Sequence, residues 1–122
     1  VTGVFIPSDP SKAASLLVYN EELDGTTLQW MQRAVGGWIE CVRLGGHRRQ
    51  DKQRVQVDLW INEEGKLEGL PYNERATALA AHLIPGDYIA GDALVLCSDE
   101  EGESIGLTMH EATLLLASLE AR

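Results

Sequence analysis

Arg54-Val55-Gln56-Val57-Asp58-Leu59-Trp60-Ile61 alternates without a break. Val55, Val57, Leu59 and Ile61 fall on one side of an extended chain, and Gln56, Asp58 and Trp60 on the other. Successive side chains of a strand point to opposite faces, so this is a half-buried strand of an antiparallel pair. Its partner lies upstream. Trp38-Ile39-Glu40-Cys41-Val42-Arg43-Leu44 also has strand character, and the polar run Gly45 to Gln53 connects the two. The expected unit is a hairpin with a basic loop at its tip.

Helices flank this hairpin on either side. Upstream, Thr26-x-x-Gln29 fits a capping box, Leu28, Met31 and Val35 recur at helical spacing, and Gly36 suits the left-handed stop. Downstream, Asn73 is a good N-cap, Glu74 complements the helix dipole, and Ala76, Leu79, Ala80 and Leu83 form a small-residue face. Thr108-x-x-Glu111 is a second capping box, with Met109, Ala112, Leu116 and Leu119 on one stripe of the last helix. Val4-Phe5-Ile6 reads as a first strand. Leu16-Leu17-Val18-Tyr19 is either a strand or the end of a helix from Ser11, and Glu21 to Gly25 reads as a break. Leu67 to Leu70 reads as a brief continuation ended by Pro71. Ala93-Leu94-Val95-Leu96-Cys97 is apolar throughout, which suits a strand covered on both faces. The expected fold is a single α+β domain over residues 1–122: a mixed or antiparallel sheet with a central hairpin and about three helices, mainly on one face.

Composition agrees with one ordinary core. A chain of 122 residues with 44% hydrophobic and 24% charged residues is globular rather than disordered. The net charge of −9 disfavours a broad electrostatic grip on nucleic acid or an anionic membrane. No apolar stretch approaches bilayer length, and the N-terminal run lacks signal-peptide character, so the expected compartment is the cytoplasm. Val1 in place of Met fits either a literal GTG start, as in a high-GC bacterium or its phage, or a trimmed chain. Cys41 and Cys97 read as buried free thiols rather than a bridge. Zinc, P-loop, Rossmann and nucleophile-elbow motifs are all missing, so no catalytic residue, metal ligand or cofactor is assigned.

One block is familiar. Leu28-Gln29, Val35-Gly36-Gly37-Trp38-Ile39-Glu40, Trp60-Ile61-Asn62-Glu63-Glu64-Gly65-Lys66-Leu67, Gly69-Leu70-Pro71, Asn73, Ala76-Thr77 and Gly91-Asp92 resemble an uncharacterised bacterial domain family. That family is scattered through phages, plasmids and actinobacterial genomes and is catalogued as a domain of unknown function. The resemblance implies a small intracellular domain, often on mobile elements, and transfers no catalytic role.

Four places carry chemistry. Arg43, His47, Arg48, Arg49, Lys52 and Arg54 concentrate half of the Lys and Arg of the chain around one loop, and can bind an anion or simply solvate a hairpin tip. Asn62, Glu63 and Glu64 with Asn73 can hold a divalent cation or a polar ligand, or serve as turn and cap. His110-Glu111 offers a general base, although Glu111 is already explained by the capping box. Trp60, on the polar side of its strand, either stacks a ligand (Trp38 being the other candidate) or lies under a helix.

The resulting expectation is a non-enzymatic accessory protein that binds a host protein or other macromolecule, or a small anionic ligand. Nucleotide-like binding at the basic loop is the first alternative. An acidic DNA mimic built from Glu21, Glu22, Asp24, Asp99, Glu100, Glu101 and Glu103 is the second. Leu114 to Leu116 make a homodimer plausible.

Overall fold

The computed structural model describes residues 1–120. Its elements run β1 (Thr2–Ile6), β2 (Ser15–Val18), α1 (Glu21–Asp24), α2 (Thr27–Val35), β3 (Ile39–Arg48), β4 (Arg54–Asn62), α3 (Glu74–Ala80), β5 (Ala93–Ser98), β6 (Ser104–Ile105) and α4 (Met109–Glu120). The sheet order is β2-β1-β5-β4-β3, with every pairing antiparallel. The short β6 pairs with β5 at Cys97 and Ser98, beyond the Ala93–Val95 stretch that pairs with β1.

The central strand explains the layering. All six residues of β5 are buried. Ala93, Val95 and Cys97 join one core with Val4, Ile6, Val55 and Leu59, covered by Ala76 and Ala80 of α3 and Ala112 and Leu119 of α4. Leu94 and Leu96 point the other way, onto Trp30 and Met31 of α2. The helices therefore lie on both faces, not mainly on one. A half-buried strand needs one cover, but an all-apolar central strand needs two.

Several local expectations hold. Thr26 and Gln29 form the capping box. Gly36 ends α2 at φ 80°, its N–H bonded to Gln32 O. Thr108 and Glu111 form the second box.

Others are settled or corrected. Residues 15–18 settle as a strand because β1 offers them an antiparallel edge. Glu21–Asp24 is a short helix, because Asn20 caps it by accepting from the N–H groups of Glu22 and Leu23. Leu67–Leu70 makes turns rather than a strand. On α2, Leu28 is half exposed and Trp30 takes its place in the core. On α4, Met109 and Leu114 face outward. Cys41 is exposed because β3 is an edge strand, whereas Cys97 is buried as expected.

Candidate functional site

The basic segment is mostly strand. β3 runs through Gly45-Gly46 to Arg48, leaving only residues 49–53 for the tip. This extension contains a bulge. Arg43 pairs with Asp58, but Gly45 pairs with Val57, so Leu44 is the extra residue. A bulge of one residue exchanges the faces of everything beyond it. Before it, Cys41 and Arg43 share a face with Trp60 and Asp58; after it, Gly46 and Arg48 take that face and His47 joins Val55 on the other.

Each face then has its own chemistry. On the α4 side, Arg49 forks onto Glu111: Nε donates to Oε2 and Nη2 to Oε1, both at 3.0 Å. Arg49 Nη2 also donates to Gly106 O at 2.8 Å, and His47 Nε2 lies 3.0 Å from Glu111 Oε2. Glu111 accepts Thr108 N–H as well. Burial raises the pKa of this carboxyl, but the Arg49 hydrogen bond, the Thr108 N–H and the charges of Arg49 and His47 outweigh it, and the net direction is down. Glu111 is thus fully engaged as an anchor for the hairpin. His110, exposed beside it, finds no free carboxylate there.

Where the hairpin meets the acidic 99–103 turn, a pocket of about 540 Å³ opens. Arg43, Arg48, Arg54 and Gln56 line it together with Gly46, His47 and Val55 of the hairpin, and Asp99, Glu100 and Gly102 line it from the acidic turn. Arg43 is held by the buried Asp58 at 3.1 Å. Arg48 and Arg54 are direct cross-strand partners, and neither has a carboxylate within 4.0 Å among the described residues. Asp99 accepts from Glu101 N and Glu103 N, which shapes the acidic turn. The buried Ser98 hydroxyl has no partner among the described residues, and its register partner is Gln56 in the pocket wall.

The remaining candidates separate from this pocket. Lys52 sits at the hairpin tip with φ 75°, exposed, its N–H on Arg49 O. Trp60 packs with the α2 cluster, is partly buried, and its buried Nε1 has no hydrogen-bond partner among the described residues, so the helix covers its face. Trp38 is the exposed tryptophan, at 67%. Asn62 and Asn73 are buried struts. Asn62 donates to Val35 O and accepts Glu64 N–H. Asn73 donates to Ile6 O and Gly91 O and caps α3 through Ala76 N–H. Glu63 and Glu64 are exposed on the turn that Asn62 builds. Gly65 is required in that turn, since a Cβ there would lie 2.5 Å from Ala90 O.

Sequence reasoning missed the Glu111 anchor and the pairing of the buried Asp58 with the exposed Arg43. A signal for the first was present: two adjacent glycines inside a strand pattern mark a bulge.

Fold and site together define a small α+β domain built on an antiparallel sheet, with a cationic pocket on an overhanging hairpin. The chain belongs to the family described as a domain of unknown function, DUF3846, whose model matches residues 5–120. No curated protein and no solved structure matches it. No helix among the described residues is long and apolar enough to cross a membrane.

Proposed function

We propose that the domain is a binding module that takes a small phosphate-bearing ligand, nucleotide-like in size, in the hairpin pocket. The observation that carries this is the Arg48–Arg54 pair. Like charges placed directly opposite on neighbouring strands destabilise the sheet. Here they face each other with no carboxylate within 4.0 Å of either among the described residues, and both line the pocket. An anionic group between the two guanidinium groups relieves that repulsion and gains charge-assisted hydrogen bonds. Glu100 across the pocket and Gln56 beside the arginines suit the amino or hydroxyl groups of the rest of the ligand. The hairpin is held in place for this by the Arg49–Glu111 fork on its back. The wider setting we propose is an accessory protein of a phage or mobile element, working in the bacterial cytoplasm, in line with the family resemblance.

The test is a thermal-shift and calorimetric titration at low salt with inorganic phosphate, nucleoside mono- and diphosphates and sugar phosphates. A phosphorylated member of the panel should raise the melting temperature and lose its effect as salt rises. The R48A/R54A variant should lose that binding. A panel without any shift, or a shift that survives R48A/R54A, overturns the proposal.

A further inference from the structure

The opposite end of the β3–β4 hairpin carries a second surface. β3 is the terminal strand of the sheet, and its first five residues, Ile39 to Arg43, hold regular register before the bulge. Their outer edge has no strand beside it among the described residues. Long uncovered edges of this kind are docking templates unless a device blocks them. Here the bulge blocks only the far half of the strand.

Next to this edge is a groove of about 340 Å³. Val42, Ile61 and Ile89 give it apolar walls, and Glu40, Glu63 and Asp87 also line it. Lys66 is its one cation, and it is committed to Asp87 and to the ring of Tyr88. Glu40 and Glu63 have no cation within 4.0 Å among the described residues. Two large apolar side chains stand uncovered nearby. Trp38, which immediately precedes β3, accepts Glu63 N–H through its carbonyl oxygen. Its side chain is 67% exposed, and that of Leu67 is 88% exposed.

We propose that this end of the domain docks an extended, basic segment of a partner protein, which adds as a strand along Ile39–Arg43. Charge complementarity selects the occupant. An apolar groove with unpaired carboxylates on its rim fits the aliphatic stem and cationic head of a Lys or Arg side chain. Alternate residues of an added strand project to one face, so every second residue of the segment is basic and its backbone supplies the remaining bonds. Trp38 and Leu67 are the apolar anchors beside it. This surface is separate from the hairpin pocket and does not depend on what that pocket binds.

The probe is a blocked peptide of alternating Val and Lys, titrated into the full chain and followed by amide chemical shifts and hydrogen exchange. Binding should move the amides of Glu40 to Val42 and of Glu63, and slow exchange along β3. The E40Q/E63Q variant, altered only at exposed side chains, should weaken binding at least fivefold. N-methylation of alternate peptide amides should abolish binding in one phase and leave it intact in the other. A Val–Glu peptide should not bind. The proposal is overturned by absent binding, by shifts confined to the acidic 99–103 turn, by equal affinity in E40Q/E63Q, or by equal binding of both methylated phases. A dimer of the chain alone with the β3 amides already protected also overturns it, since the occupant is then a second copy.

Discussion

Replacing Glu111 with Ala tests how the hairpin is held. The carboxylate accepts two N–H groups from Arg49 and one from Thr108, and His47 Nε2 lies within 3.0 Å. Loss of the capping half contributes about 1 kcal/mol. Loss of the charge-assisted fork contributes roughly 2 kcal/mol, because Arg49 is only 14% exposed and is left with an unpaired charge. The expected total is about 3 kcal/mol, or a fall in melting temperature of roughly 10 °C for a domain of this size. Glu111→Gln keeps the cap and removes the charge, so it should lose about 2 kcal/mol. Urea denaturation with an unchanged m-value measures both. A double-mutant cycle with Arg49→Met should return a coupling of about 1.5 kcal/mol. A coupling indistinguishable from zero, or a Glu111→Ala loss under about 0.5 kcal/mol, refutes the anchor. The pH dependence has a defined sign. The folded pKa of Glu111 lies below its ordinary value of 4.5, so its contribution is complete above that value. It disappears as pH falls through the folded pKa, and Glu111→Gln should flatten this part of the acid limb.

Four further outcomes are expected. Arg48→Ala should leave the unliganded domain unchanged or stabilise it by up to about 0.5 kcal/mol, because it relieves the facing Arg54; a clear loss in urea denaturation contradicts this. Asn73→Asp keeps a cap for α3 but removes the donors to Ile6 O and Gly91 O, and should cost about 3 kcal/mol by the same measurement. Gly65→Ala drives a methyl toward Ala90 O and should cost about 2 kcal/mol or more, visible as a lower melting temperature. Cys41, though exposed overall, should react with a thiol reagent at pH 7.5 roughly a hundredfold more slowly than a free cysteine; partial desolvation of the thiol and the Asp58 charge push it up to about 11, and Asp58→Asn should speed the reaction.

The parts of the fold written in local chemistry were legible. Alternation from Val55 to Ile61, two capping boxes and the Gly36 stop all describe contacts within a few residues, and each stands where the sequence puts it. The second helical layer was harder. Whether a helix falls on one face or the other depends on the crossover path, and the apolar pattern of β5 states only that both faces are covered. The site was half legible. The cluster of basic residues was plain, but its division into an anchored side and an open side depends on one extra residue at Leu44 and on Glu111, far along the chain. A capping box gave Glu111 a sufficient local role, which concealed its distant one. Asn62 and Asn73 could serve as ligands or struts by residue type; only their buried carbonyl partners decide for struts.

The bulge at Leu44 also makes the hairpin a phase-sensitive element. Closing the bulge without removing a residue, so that Leu44 pairs with Val57, would shift the rest of β3 by one against β4 and turn Arg49 toward the pocket face and Arg48 toward the Glu111 face. The charge count would not change, yet the anchor and the binding cation would trade places. Length changes at the 49–53 tip leave this phase intact. In related chains, length changes should therefore gather at the tip, while between Arg43 and His47 either the bulge or the loss of its extra residue keeps these faces.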